Sequence, residues 1–290
     1  MANLKEIRTR ISSVESTMQI TSAMKMVSAA KLKRAQDAIT QMRPFAEKFN
    51  AILTNVSANA EVEDHSLMCK SEGNNILLIA LSSNRGLCGG FNSNIVKAIK
   101  KTIAQNPEKN YSVLTIGKKV NDAFKSSDII NNHELLPKQT EKIWDDLNYE
   151  KATYIVNDII ASFQKGVFDE ALLIYNSFKN AAVQELKIED FLPVTASNDN
   201  KDSNVDYLFE PDKEEILKEL VPKSLKIQLY KALLDSFASE HGSRMTAMHK
   251  ATDNATEMVK ELTLFYNKAR QAAITGEILE IVAGAEALDG

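Results

Sequence analysis

The N-terminal residues of the chain place apolar side chains at heptad spacing. One heptad position holds Leu4, Ile11, Met18, Leu32, Ile39, Ala46 and Leu53, and the other holds Ile7, Val14, Thr21, Ala35, Met42, Phe49 and Val56. A repeat of about 3.5 residues keeps one stripe of a helix facing a partner helix. The pattern predicts a long helix with a coiled-coil seam, which Lys25 and Ser28 interrupt. Because the repeat resumes after Pro44, we expect a bend there rather than an end.

The C-terminal residues carry a second seam of the same kind. One position holds Ile227, Leu234, Met248, Ala255, Leu262 and Ala269, and the other holds Tyr230, Phe237, Ala251, Met258, Phe265 and Ala272. His241 and Arg244 interrupt this seam, and the segment DYLFEPDKEE predicts that the helix begins at Pro211. Two seams at opposite ends of one chain can bury each other, so we predict an antiparallel coiled coil within the chain.

Between the two seams, short apolar runs alternate with stretches of helical spacing. NILLIALSS, YSVLTIG, DEALLIYNSF and VQELKIEDFLP are typical of strands, and SNIVKAIKKTIAQN is typical of a helix. A further long helix is predicted around Trp144 to Phe163. The alternation favours a small α/β domain with a largely parallel sheet. Too few residues separate the last two strands for a crossover helix, so we expect them to form an antiparallel hairpin.

The loop NRGLCGGFN follows the first predicted strand and precedes a helix, where a dinucleotide-binding fold places its phosphate loop. Gly86, Gly89 and Gly90 do not give the GxGxxG spacing, and no Lys-Ser or Lys-Thr pair follows as a P-loop requires. Two interpretations stay open, a nucleotide-binding loop and a tight turn that contacts a partner. The spacing favours the second.

Composition narrows the classes of protein. Of the 290 residues only 10 are glycine, and the first is Gly73, so the ends are poor in helix breakers and an all-β fold is excluded. The net charge of −4 argues against a general nucleic-acid binder, although residues 1–50 alone are basic. No run approaches the roughly 18 apolar residues that span a bilayer. Cys69 and Cys88 form no CxxC pair, which indicates a reducing compartment on the cytoplasmic side.

Candidate chemistry is sparse in this sequence. His241 and His249 lie too far apart for the one-turn spacing of a helical metal pair, and His65 and His133 stand in polar surroundings. No local motif supplies a Ser-His-Asp or Cys-His arrangement. We therefore predict no catalytic residue, no metal site and no cofactor.

Four segments, in this order along the chain, resemble the gamma subunit of bacterial F-type (rotary) ATP synthases. They are MKMVSAAKLKRA, SSNRGLCGGFN, ASEHGSRMTAMHKATDNA and ITGEILEIVAGAEAL. The last is the most specific, because Ile274, Thr275, Glu277, Glu280, Gly284 and Ala285 stand at the positions of the family signature. The resemblance covers nearly the whole chain.

The resemblance implies an architecture and a role. In that family the terminal helices form an antiparallel coiled coil that enters the hexamer of alpha and beta subunits. A central Rossmann-like α/β domain lies beside the epsilon (delta-type) subunit and the membrane c-ring. The expected domains are residues 1–60, 73–196 and 210–288. The implied role is a non-catalytic central rotor stalk that transmits torque between the proton-driven c-ring and the catalytic hexamer during ATP synthesis. Such a subunit is peripheral, on the cytoplasmic face of the bacterial inner membrane, and associates with the membrane only through the complex.

The resemblance also suggests contact residues, position by position. Contacts with alpha and beta fall on Lys25, Arg244, Arg270, Gln271, Thr275 and Glu277; the side of the c-ring and epsilon has Tyr207 and Glu210; and the partner-contact loop has Arg85, Gly86, Gly89 and Gly90. The alternative, that these side chains merely solvate the helices, stays open, above all for Lys25. Small residues such as Ser28, Ala272 and Gly284 are expected to keep the helix ends smooth.

Two positions depart from the family pattern. Asn84 stands where an aspartate is common, and Gly242 stands where a helix former such as alanine is usual, so we expect a locally softer helix at Gly242. Two other classes of function remain. A coiled-coil scaffold or tether with a non-catalytic α/β domain explains both seams but not ITGEILEIVAGAEAL. A nucleotide-dependent enzyme would need a phosphate loop.

Overall fold

A computed structural model describes residues 4–58, 66–69, 73–127, 129–130, 133–194 and 213–289. Long helices occupy both ends of the chain, α1 at Leu4–Ala58 and α5 at Lys213–Asp289. Both are continuous through an internal proline, Pro44 in α1 and Pro222 in α5. The two long terminal helices are therefore confirmed. Pro211, the predicted start of the second helix, lies outside the described residues.

The central elements form a mixed sheet with helices between the strands. In chain order they are β1 (Asn75–Leu81), α2 (Phe91–Gln105), β2 (Asn110–Ile116), α3 (Lys118–Phe124), α4 (Tyr149–Gln164), β3 (Glu170–Phe178) and β4 (Gln184–Leu192). The strand order is β2-β1-β3-β4. Strand β1 pairs in parallel with β2 and β3, and β4 pairs antiparallel with β3. The predicted α/β domain and its terminal hairpin are confirmed.

The predicted helix from Trp144 to Phe163 is wrong at its N-terminal end. A short 3₁₀ helix, Thr140–Trp144, stands there instead, and α4 begins only at Tyr149. The Asn148 side chain accepts a hydrogen bond from the Lys151 backbone N–H at 2.9 Å, which caps α4 and sets its start. The Trp144 indole donates to the Ile116 carbonyl and stacks on Phe237, so this residue anchors a turn rather than a helix.

Strand β1 is buried on both faces of the sheet, which is why NILLIAL is an unbroken apolar run. On one face Leu77, Ile79 and Leu81 pack with apolar residues of α4 and of α5 between residues 217 and 233. On the other face Ile76, Leu78 and Ala80 pack with α2 and α3. The carboxyl end of β1, which carries the glycine-rich loop, is therefore held by a core on each side.

The chain divides into two compact units. We call residues 29–244 the central unit, and residues 1–28 together with 245–290 the helical unit. The predicted domains, residues 1–60, 73–196 and 210–288, rest on the helices and strands expected from the sequence, and their boundaries stay predictions.

In the helical unit, α1 presents the predicted stripe. Leu4, Ile11, Val14 and Met18 are half-buried and Ile7 is buried, whereas the residues between them are exposed. The Thr21 hydroxyl lies 2.8 Å from that of Thr252, and the Thr256 hydroxyl lies 3.2 Å from the Met18 sulfur. The earlier residue of α1 therefore pairs with the later residue of α5. The pairing is antiparallel, as predicted.

In this unit the predicted seam of α5 is correct at one heptad position, and at the other it is correct only for Ala251. Met248 and Ala255 are buried and Leu262 and Ala269 are half-buried, as expected. Met258 and Phe265, however, are 43% and 51% exposed, and the second position is occupied by Thr252, Val259, Tyr266 and Ala273. From Met248 the covered residues follow after four positions, at Thr252, and then after three, at Ala255. The predicted seam had the three-residue spacing first, with Ala251 in place of Thr252. The error arose because Met258 and Phe265 are as apolar as the residues that follow them.

Candidate functional site

The glycine-rich loop between β1 and α2 is fixed first by its own residues. The Ser83 hydroxyl donates to the Arg85 carbonyl at 2.7 Å, and the Asn92 side-chain amide donates to the Ser83 hydroxyl at 2.8 Å. The same amide lies 3.2 Å from the sulfur of Cys88, which is buried. Burial raises the pKa of this thiol. The inner side of the loop is therefore a small buried network of hydroxyl, amide and thiol.

Two residues of α5 in the same unit hold the outer side of the loop. The Arg244 guanidinium donates to the Arg85 carbonyl at 3.0 Å and to the Gly86 carbonyl at 3.2 Å. It also forms an ion pair with Glu240 at 2.7 Å. The Ser243 hydroxyl donates to the Cys88 carbonyl at 2.7 Å. Because the Arg244 side chain is only 8% exposed, these hydrogen bonds are shielded from water.

The polarity of this loop is opposite to that of a phosphate-binding loop. A phosphate loop points backbone N–H groups at an anion. Here the Arg85 and Gly86 carbonyls point at a cation that belongs to the chain itself. The Phe91 N–H, at the start of α2, is already bonded to the Cys88 carbonyl. The geometry therefore favours the tight-turn interpretation over nucleotide binding.

The buried groups beside the loop are structural in character. Burial, with Arg244 and Lys31 nearby, lowers the pKa of His241 to about 3, so this imidazole is neutral at physiological pH. Its ring packs edge-on against Phe237 at 4.4 Å. Desolvation raises the pKa of Glu240, against the opposing effect of Arg244. Among the described residues, no group of three His, Cys, Asp or Glu side chains is arranged to hold a metal ion.

Asn84 uses both ends of its amide. Its nitrogen donates to the Glu141 carbonyl at 2.9 Å, and its oxygen accepts from the Lys118 backbone N–H at 3.2 Å. An ionised aspartate could accept the second hydrogen bond but could not donate the first. Asn84, which departs from the family pattern, therefore links the loop to the 3₁₀ helix by a hydrogen bond that an ionised aspartate could not make.

Gly242 lies where α5 meets the β3–β4 hairpin. A Cβ atom at this position would come 3.3 Å from the Ala181 Cα and 3.3 Å from the Phe178 ring. Helix α5 continues through Gly242 without a break. The close approach of another backbone thus explains why a glycine stands here. This reason differs from the locally softer helix that the sequence led us to expect.

The structure distributes the predicted contact residues over both units. In the helical unit, Arg270, Gln271, Thr275 and Glu277 are exposed on α5, and Lys25 is half-buried in the α1 stripe. In the central unit, Arg85, Gly89 and Gly90 are exposed, Gly86 is half-buried, and Arg244 is buried. Tyr207 and Glu210 lie outside the described residues. Of the whole set, Arg244, Arg85 and Gly86 are brought into direct contact.

Sequence reasoning missed Leu87, Ser243 and Glu240. Leu87 has a positive φ of +61°, which no local pattern signals. Glu240 precedes Arg244 by four residues, and this helical spacing could have indicated the ion pair. Ser243 gave no signal of its own, because a serine inside a helix is ordinarily a surface residue.

The fold and the loop together define a class of protein that has a coiled coil of its terminal helices and a central α/β domain, with a glycine-rich loop held by the chain itself. The family model described as ATP synthase matches residues 3–288. The ATP synthase gamma chains of Flavobacterium johnsoniae and Christiangramia forsetii are 56% and 54% identical to this chain, each over the full length of both proteins. The chain belongs to the ATP synthase gamma chain family.

Solved structures agree with this assignment. A chain in the central stalk and c-ring of the Tetrahymena thermophila mitochondrial ATP synthase is 27% identical, with a TM-score of 0.58, and the match covers 80% of this chain and 99% of that one. A chain of the Euglena gracilis mitochondrial ATP synthase has the same fold, with 20% identity, a TM-score of 0.67 and coverage of 98% and 94%. The protein is a stalk subunit of the rotor and is not the catalytic subunit. None of the described helices is long and apolar enough to cross a membrane.

Proposed function

We propose that this chain transmits torque between a c-ring and a hexamer of alpha and beta subunits, with an epsilon subunit bound beside the α/β domain. The complex associates with the cytoplasmic face of the bacterial inner membrane, and this chain is peripheral to it. Rotation biases each beta subunit among conformations of different nucleotide affinity, so mechanical work shifts a binding equilibrium.

The observation that carries this proposal is the apolar surface at the end of α5. Five large apolar side chains are exposed there, namely Ile274, Ile278, Leu279, Ile281 and Val282. A cluster of this kind on one helix is costly in water and marks a surface that another protein covers. These side chains form a broad apolar stripe that leaves Glu277 and Glu280 on the other side of the helix, and a sleeve formed by alpha and beta subunits would cover the stripe.

Polar groups among these apolar residues supply angular preference. Arg270, Gln271, Thr275 and Glu277 are exposed on the same stretch, so they are available to bond to alpha and beta. The Thr275 hydroxyl already donates to the Gln271 carbonyl at 2.9 Å, and a partner could compete for it at little cost. Lys25 and Arg244 are the further candidates. Arg244 is occupied by the loop, so its effect on partners acts through Arg85 and Gly86.

The α/β domain, with Tyr207 and Glu210, is the part that we assign to the c-ring and epsilon. Its four-stranded sheet has a core on each face, so it can serve as a stiff base. The central unit and the helical unit each contain a part of one helix, Lys213–Asp289. A continuous helix resists twisting because each turn is hydrogen-bonded to the next.

Reconstitution with alpha and beta subunits tests the proposal. The chain should complete a complex that hydrolyses ATP, whereas alpha and beta without it should show little activity. In a Cys69→Ser background, Thr275→Cys should cross-link to alpha or beta, and a matched variant in the α/β domain, Lys125→Cys, should not. If the chain neither stimulates hydrolysis nor cross-links through Thr275→Cys, the torque proposal is wrong and the tether alternative stands.

A further inference from the structure

A cavity of about 220 Å³ lies in the central unit, where three elements meet. Helix α1 contributes Arg43, the β3–β4 hairpin contributes Ser177 and Lys187, and α5 contributes Lys231 and Asp235. The other lining side chains are apolar. The cavity therefore brings charged groups from three separate elements against an apolar wall.

Asp235 supplies a carboxylate whose acceptor capacity the chain does not use up. The residue is only 8% exposed, and the Ser177 hydroxyl donates to its Oδ2 at 3.2 Å. Among the described residues, no cation forms an ion pair with this carboxylate. Burial raises the pKa of Asp235, against the opposing effects of the Ser177 hydrogen bond and of Lys231, Lys187 and Arg43. An ionised carboxylate can accept several hydrogen bonds, so Oδ1 can take a donor from a ligand.

Three cations line the same cavity. Arg43 and Lys231 are exposed, and neither forms an ion pair with a side chain that the structure describes. Lys187 lies 3.7 Å from the Glu189 carboxylate. Three positive charges and the one carboxylate of the lining leave an excess of positive charge, which favours an anion. The apolar wall lowers the local dielectric and strengthens that attraction.

A carboxylate among cations favours an anion that also carries a hydroxyl group. Hydrogen phosphate is such an anion, because its charged oxygens accept from guanidinium and ammonium groups while its P–OH group donates to a carboxylate. Sulfate has the same shape but carries no proton to donate, so it would face Asp235 with one acceptor against another. The cavity is also smaller than the roughly 300–1,000 Å³ of sites for drug-sized ligands, which disfavours a whole nucleotide.

From this arrangement we propose that the cavity binds inorganic phosphate as hydrogen phosphate. Arg43, Lys187 and Lys231 hold its charged oxygens. Asp235 accepts the hydrogen bond from its P–OH group. Because the ion joins α1, the hairpin and α5, its binding stabilises the central unit. ATP synthesis consumes phosphate, so the occupancy of this site would follow the supply of a substrate of the complex. The inference does not depend on the torque proposal, since the isolated chain contains every residue of the site.

Equilibrium dialysis of radiolabelled phosphate against the full-length chain tests the site, at a mildly alkaline pH that favours the ionised form of Asp235. The parent should bind one phosphate, and sulfate should compete at least about 100-fold less well, because a site built to accept from a hydroxyl rejects an analogue that lacks it. Asp235→Asn keeps the shape and an acceptor for Ser177, but its amide can donate to either anion. The preference for phosphate over sulfate should then fall below about tenfold.

A second variant tests the cations without touching the buried carboxylate. Lys231→Met removes an exposed charge and should weaken phosphate binding about tenfold, the size of one charge-assisted hydrogen bond. Lys223→Met is the matched control, because Lys223 is exposed on the same helix and does not line the cavity, and it should bind phosphate like the parent. Phosphate should also raise the thermal midpoint of the parent more than an equal concentration of sulfate does.

Three results would overturn the site. They are sulfate that competes as well as phosphate in the parent, equal phosphate affinity of the parent and Lys231→Met, and no saturable binding of phosphate. ADP that displaces phosphate at equal concentration would indicate a site for nucleotide phosphates and would refute the assignment to the inorganic ion. If Asp235→Asn does not fold, sulfate competition in the parent and the Lys231→Met result still decide.

Discussion

The Arg244 guanidinium and the Gly86 carbonyl lie within hydrogen-bond distance, with Nη2 at 3.2 Å and Nε at 3.3 Å from the oxygen. The same guanidinium reaches the Glu240 carboxylate, 2.7 Å from Nη1. One buried cation thus satisfies a carboxylate of its own helix and the backbone of a distant loop. A glycine-rich loop at the end of a parallel strand need not bind a ligand if its polar groups are satisfied by the chain.

We expect Arg244→Met to lower the free energy of unfolding by about 3–5 kcal/mol, because it leaves the Glu240 carboxylate buried without a partner. Denaturant unfolding of the isolated chain measures this. Lys223→Met is the matched control, since Lys223 pairs with Glu219 at the same spacing but in solvent, and it should cost less than about 1 kcal/mol. The double variant Arg244→Met, Glu240→Leu should recover part of the loss. Absence of any recovery would mean that the unpaired carboxylate is not the cause.

Gly242→Ala should destabilise the chain although alanine is the better helix former. The added methyl would meet the Ala181 backbone and the Phe178 ring at 3.3 Å, and overpacking of this kind costs about 1–3 kcal/mol. Gly276→Ala, where no atom lies within 4 Å, should instead stabilise by about 0.5–1 kcal/mol. Thermal unfolding of the two variants side by side provides the test. A stabilising Gly242→Ala would indicate that the hairpin yields and that helix propensity dominates.

The seam of the helical unit predicts different effects for two neighbouring leucines. Leu262 is half-buried in the seam and Leu264 is exposed. A charge at a buried position is costly, so Leu262→Asp should lower the stability of this unit by about 1–3 kcal/mol and uncouple hydrolysis from pumping. Leu264→Asp should change stability by less than about 0.5 kcal/mol. Circular dichroism at increasing temperature would report both effects, and equal midpoints would contradict the observed seam.

His241 should make the chain less stable in mild acid. The pKa of its imidazole is about 3 in the folded chain against an ordinary value of 6.5, so below pH 6.5 the unfolded chain takes up a proton that the folded chain does not. Its contribution to the unfolding free energy therefore falls as the pH drops from 6.5 towards 3, with a limiting slope of about 1.4 kcal/mol per pH unit.

The measurement compares the parent with His241→Gln between pH 7 and pH 5, above the range in which most carboxylates titrate. The parent should lose more stability than the variant over this interval. His249→Gln, which removes an exposed histidine from the same helix, is the control, and its difference from the parent should be smaller than that of His241→Gln. Parallel pH curves for the parent and His241→Gln would refute the assignment.

The seams show how far the sequence determines this fold. The predicted heptad stripe of α1 is confirmed from Leu4 to Leu53, and from Leu4 to Met18 only polar residues separate its apolar ones. The side chain of Val56 lies outside the described residues. In α5 a run such as Leu262, Leu264 and Phe265 offers more apolar residues than one stripe can hold, and only the partner helix decides which are covered. The predicted helix start at Trp144 was wrong for a related reason, because the position of this residue depends on Phe237 and the Ile116 carbonyl, both far away in the sequence.

The candidate site was less predictable than the fold. The glycines of the loop signalled a turn, but Ser243 and Arg244 lie about 155 residues from the carbonyls they hold. From the sequence alone, Gly242 indicates a weak point of the helix, because the hairpin that approaches it cannot be seen in a local pattern. The structural roles of these residues depend on long-range contacts, and no local sequence pattern encodes such contacts.

The buried thiol of Cys88 makes opening of the loop measurable in the unmodified chain. Its side chain is 2% exposed, whereas Cys69 is exposed, so a thiol reagent should label Cys69 at once and Cys88 only when the loop leaves Ser243 and Arg244. When reclosing is fast, the labelling rate gives the free energy of that local opening. The Cys88 sulfur thus reports opening of the loop without any substitution in the chain, within the assembled enzyme as well as outside it.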